Sequence, residues 1–276
     1  MLCKKCGKNN ALVEDGLCAR CADEAFGTLT AAPGVGPAGA ADAPLPPPLP
    51  SAPFDPTARW ALLKSPNRLA TVAVALLGLV IVIDLGAVAA GFAEYRFAAD
   101  LVDGDWSGFD EEKAGRLDDL YALAGRAQLI SLVATAIGFI AWFLRVRDNA
   151  VVFAPSGQTR DRAWAIFGFF VPVVCFWFPR RIALDTWHAS ADDLELSDRP
   201  GWAGTVDVWW FLWLTNLLVG RFTGNAYDRA ETLSELKSAT AGVIAADVLD
   251  IASAVAAIVF VRSLTRLQNR KVSVGP

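Results

Sequence analysis

The sequence predicts an all-α, polytopic membrane bundle behind a small four-cysteine knuckle. Three observations carry this. Hydrophobic residues are 54% of the 276, and they fall in long blocks rather than at the intervals of an amphipathic soluble helix. Two CxxC pairs open the chain. An aromatic stretch, "WAIFGFFVPVVCFWFPRR" (Trp164 to Arg181), is broken by proline.

The head covers residues 1–27. Cys3 and Cys6 form one pair, Cys18 and Cys21 the other, with eleven residues between. Two thiolate turns facing each other make a tetrahedral cage for structural Zn²⁺. Gly7 and Gly16 flank the pairs and allow the tight turns this needs. So short a segment buries too little core to fold alone, so the metal would supply the folding energy. Disulfides, another metal or a redox pair are the other readings. Four cysteine ligands leave no open coordination position for catalysis. Lys4, Lys5, Lys8 and Arg20 are offset by Glu14, Asp15, Asp23 and Glu24, which argues against nucleic acid and for a protein partner.

Residues 28–58 are rich in proline, alanine and glycine. This composition predicts a disordered linker with polyproline II character around "PLPPPLP". A spacer is the simplest role, and a PxxP ligand the alternative. "GVGPAG" has part of a dinucleotide-binding spacing but no strand before it.

The membrane domain is expected over 59–271. Spans are read at about 68–93, 127–145, 202–220 and 241–262, holding at most two charges each in their apolar blocks. About 20 apolar residues cross a bilayer core, so all four suffice. The first block lies behind the head and linker, which is not a signal-peptide layout. Arg59, Lys64 and Arg68 flank it, as a cytosolic N-terminus requires. The segment Glu94 to Arg126 has nine acidic and four basic residues and reads as an external loop. Arg145 and Arg147 follow the second span on the inside.

The aromatic stretch, 163–179, either crosses as a fifth span or enters and leaves on the cytosolic face. Pro172 removes a helix hydrogen bond and leaves halves too short to span. If it crosses, Lys and Arg divide about evenly between the sides; if it is re-entrant, they concentrate inside. The second and last spans also share a design: an aspartate suited to N-capping (Asp110, Asp228), a charged third, an apolar span, and an arginine at 35 or 34 residues, Arg145 or Arg262. Helices of like design are expected to run the same way, which also favours re-entry. "RRIALDTWHASADDLEL" then reads as an interfacial amphipathic helix, with Arg180 and Arg181 at anionic headgroups. The single histidine, His188, reads as an interface residue.

Asp84, Asp247 and Asp250 lie within apolar blocks. Intramembrane carboxylates are costly, which makes these three a candidate polar site for a proton or cation. The plainer reading is that they are protonated, snorkel, or hydrogen-bond through Thr215 or Asn216. Trp202 suits an interface anchor, while Trp209, Trp210 and Trp213 suit bundle packing. Cys175 reads as an apolar filler. No nucleophile–base pair, Walker loop or HExxH occurs, so a non-enzymatic protein is expected.

"FLRVRDNA" (Phe143 to Ala150), Trp164, Gly168, "FVPV" (Phe170 to Val173), Trp177, Pro179, Asp185, Trp187, Ala189, Ser190 and "WWFLWLTN" (Trp209 to Asn216) resemble the bacterial membrane proteins grouped as domain of unknown function 4328. The resemblance runs over about 60–270. Its motif residues here are Arg145, Asn149, Trp164, Gly168, Pro172, Trp177, Pro179, Trp187 and Asn216. Members often have asparagine where this chain has Cys175. The resemblance implies a multi-pass membrane protein, sometimes behind a zinc-ribbon head, and no particular activity. The expected function is recruitment or sensing of a partner through a cytosolic zinc knuckle, from the bacterial inner membrane. The alternative is a small transporter or channel subunit using the intramembrane carboxylates.

Overall fold

A computed structural model of the chain describes residues 59–104, 106, 109–191 and 202–275. The knuckle and the linker expected over 1–58 lie outside the described residues. The described helices are α1 (Asn67–Val102), α2 (Glu111–Phe153), α3 (Trp164–Phe167), α4 (Phe178–Ser190), α5 (Trp202–Asp228) and α6 (Leu233–Val274), with a 3-10 turn at Val174–Phe176. No strand occurs among the described residues.

α1, α2 and α6 have 36, 43 and 42 residues, more than a bilayer core needs. The excess is the charged end of each. Much of the segment expected as an external loop, 94–126, is therefore helix: only residues 103–110 link α1 to α2. Asp110 caps α2 as expected, accepting from the Glu112 amide. Asp228 does not cap α6. It is the last residue of α5, and Thr232 begins α6 in a reciprocal capping box with Glu235. "TLSE" satisfies two orphan amides where Asp228 would satisfy one.

Contacts fix the directions. On α2 and α6, Gln128 meets Asp247, Trp142 meets Thr265 and Asn149 meets Gln268, so the two helices run the same way. α1 runs against α6, with Asn269 donating to Asn67 at one end and Gly91 beside Ile244 nearer the other. α5 also runs against α6: Trp209 stacks on Phe260, Asn216 meets Asp250, and Thr223 lies by Gly242. One end of this arrangement is filled by an aromatic cluster. Trp142, Phe143, Trp187 and Phe260 are fully or almost fully buried there, with Phe139 and Trp209 beside them. α4 packs against α2, α5 and α6 and carries Trp187 into the cluster.

The aromatic stretch is broken, and it doubles back. α3 lasts one turn. The chain then turns at Pro172–Val173, where the Val174 amide bonds to the Pro172 carbonyl and Val173 takes a φ of 70°. That is a strained geometry for a β-branched residue. At the two ends of the stretch, the Trp164 and Phe178 rings meet edge-on at 4.9 Å. Between them Phe169 reaches Phe139, Phe143 and Trp213. Gly168 suits both the turn before it and this return: a Cβ there would sit 2.5 Å from the Trp164 carbonyl oxygen of the preceding turn and 3.3 Å from the Phe178 Cβ of the returning arm. Pro179 follows at the start of α4, where a missing amide hydrogen costs no helix bond.

By length and composition, α1, α2 and α6 can cross a membrane. α5, expected as a fourth span, does not meet that measure. Its tryptophans, Asp207, Asn216 and Arg221 dilute its aliphatic residues.

Candidate functional site

The three aspartates of the apolar blocks come from two antiparallel helices, α1 and α6, and meet at one level. Asp84 and Asp247 are buried, and Asp250 is half-buried. Gln128 of α2 joins the first two. Its amide nitrogen donates to Asp84 Oδ1 at 3.0 Å and to Asp247 Oδ1 at 2.8 Å. Asn216 of α5 donates to Asp250 Oδ1 at 2.7 Å. All four long helices thus contribute one or two polar side chains.

Asp84 Oδ2 is buried and has no hydrogen-bond partner. None of the ion pairs among the described residues involves these aspartates. Three carboxylates at one level with only amide donors cannot all be ionised without a counter-charge. No group of three or more His, Cys, Asp or Glu side chains among the described residues is arranged to hold a metal ion. Thr215, the other donor expected for the acids, bonds instead to the Phe211 carbonyl of its own helix.

A second buried carboxyl lies further along α1. Tyr227 donates its hydroxyl to Glu94 Oε1 at 2.9 Å, and the Tyr121 ring packs on Tyr227 at 5.2 Å. Sequence reasoning missed Gln128, Glu94 and Tyr227. Gln128 was legible in principle, since an amide inside an uncharged apolar block needs a partner as much as a carboxylate does. Glu94 was hidden because the helix outlasts its apolar block.

Of the family-motif residues, Asn216 belongs to the acid cluster, while Asn149 and Trp187 lie at the aromatic end. Asn149 donates to the Lys64 carbonyl and to Gln268 Oε1, and accepts from the Lys64 amide. Gln268, itself buried, donates to the Val146 carbonyl and to Ser190. This network ties the entry to α1, the end of α2, the end of α4 and α6 together. Arg147 is buried and donates to the Arg160 carbonyl at 2.6 Å, while Arg162 pairs with Asp148 at 3.0 Å. Asp185 accepts from the Thr159 amide and hydroxyl. Together these hold the loop that leads into the broken stretch. Arg145 is half-buried, Pro172 and Trp177 are exposed, and Trp187 packs on Phe260. Arg180, expected at headgroups, pairs with Asp207 at 2.8 Å and lies near the Trp210 ring. His188 is exposed. Cys175 is buried, as a filler would be.

Cys3, Cys6, Cys18 and Cys21 lie outside the described residues. Comparison with curated proteins and with solved structures gave no match. A family model described as a domain of unknown function (DUF4328) matches residues 107–266. The match takes in α2 through most of α6, with Gln128, Asn216, Asp247, Asp250 and every motif residue above, and leaves out α1 and Asp84. Covering more than half of the chain, it places the protein in the DUF4328 family.

Proposed function

We propose that the protein is a non-enzymatic, multi-pass membrane protein whose bundle holds an exchangeable proton at Asp84, Asp247 and Asp250, as a small proton-coupled transporter or channel subunit would. α5 is the fourth span in this reading, lying against α6 along its length. The stretch 163–179 enters and leaves on one face, which its touching ends support. The observation that carries the proposal is the acid cluster: three carboxyls, two amide donors, an unpartnered Asp84 oxygen and, among the described residues, no paired base. Such groups in a span are expensive and mark ion or proton paths. In proteoliposomes with an imposed pH gradient, the wild type should pass protons faster than a variant carrying Asp84→Asn, Asp247→Asn and Asp250→Asn. Equal flux from both would refute it.

A second reading rests on the head. The spacing of Cys3, Cys6, Cys18 and Cys21 supports a structural zinc knuckle that recruits a protein partner at the cytosolic face of a bacterial inner membrane. Cys3→Ser with Cys6→Ser should abolish stoichiometric zinc and any partner cross-linked to the head. Unchanged zinc content would end this reading.

A further inference from the structure

A groove lies between α1 and α6 at the aromatic end. Its volume is about 480 Å³, and its walls include Asn67, Ala70, Thr71 and Ala75 on α1 with Arg262 and Arg266 on α6. The two arginines are four residues apart, so their guanidinium groups rise from one helix face. Both are exposed, and neither has a hydrogen-bond or ion-pair partner among the described residues. No carboxylate lines the groove. Two unsatisfied cations therefore sit over a wall of small residues.

Beyond the groove, toward the middle of the bundle, the adjoining surface is apolar. On α6, Val255 and Val259 lie on the same face as Arg262 and Arg266, and both are exposed. On α1, Gly78 follows Thr71 and Ala75 along one face, and a Cβ built there meets nothing within 4 Å. The surface thus runs from two arginines, past two small residues, to an open apolar track. We propose that this groove binds an anionic phospholipid, with its phosphate between Arg262 and Arg266 and one acyl chain along Gly78, Val255 and Val259. Charge selects the headgroup, since each basic residue near a membrane surface attracts anionic lipid. The trough accepts the chain because α1 offers no side chain at Gly78 to fill it. The site is independent of the acid cluster, which lies further along α1 and α6.

Native mass spectrometry on the full chain in detergent tests this, with phosphatidylglycerol and phosphatidylcholine titrated separately. The wild type should retain phosphatidylglycerol in preference to phosphatidylcholine. Arg262→Gln with Arg266→Gln should weaken phosphatidylglycerol binding by about tenfold or more. The charge-matched pair Arg221→Gln with Arg229→Gln, both exposed, should leave it within a factor of about two. Gly78→Leu should fill the track and weaken lipid binding with both arginines intact, and it has room to fold. Equal retention of the two lipids, equal loss in the control pair, or full displacement by inorganic phosphate would each overturn the proposal. The last result would mean that the arginines bind a free anion.

Discussion

Gln128 serves two carboxylates with one amide nitrogen, and that makes it the residue on which the cluster's geometry depends. Replacing it by leucine removes donors from Asp84 and Asp247 while leaving both buried. Hydrogen bonds to charged groups contribute about 1.5–3 kcal/mol, and an orphaned buried acceptor adds its own cost. Gln128→Leu should therefore lower stability by roughly 2–3 kcal/mol, read as a shift in the unfolding midpoint in detergent. Gln128→Glu should cost more, because it adds a carboxyl where donors are already few. The aspartates themselves were legible from the sequence, since a charge in an apolar block stands out. Their partners were not. Which face of α2 meets α1 and α6 is set by the packing of four helices at once.

At the level of elements, the ends of α6 and of the broken stretch carry the clearest lessons. Thr232 and Glu235 form a reciprocal cap whose spelling, "TLSE", is a recognised start signal. Asp228, an equally good capping type four residues earlier, ends α5 instead. Thr232→Ala should cost about 1 kcal/mol in thermal unfolding. The cap also has a pH signature. The Glu231 and Thr232 backbone amides hold the Glu235 carboxyl below its ordinary value of 4.5. A carboxyl depressed in the folded state adds stability above its unfolded value, and loses it as pH falls through the folded one. The stability difference between wild type and Glu235→Gln should thus be constant well above pH 4.5, shrink as pH falls past 4.5, and level off only below the lower folded value. In the broken stretch, Pro172 and Pro179 announced the bend from sequence alone. The strained Val173 and the approach of Phe178 to Gly168 did not show, because both belong to the return of one arm onto the other.

For the molecule as a whole, the parallel course of α2 and α6 was readable from their matched design, and their contacts bear it out. The span count was harder to read. α5 is rich in tryptophan and carries Asp207 and Asn216, so its hydropathy understates a helix that lies along α6. Single cysteines at positions 155, 188 and 270 should all label from one side of the membrane, and cysteines at 106 and 229 from the other. A label at 188 from the opposite side to 155 would turn the broken stretch into a crossing. The central claim is that the bundle buries a carboxyl cluster holding an exchangeable proton. Infrared difference spectroscopy of the purified protein across a pH step tests it most directly. The account predicts a protonated-carboxyl band that changes with pH and is lost when Asp84, Asp247 and Asp250 are all replaced by asparagine. An identical difference spectrum from wild type and variant would contradict it.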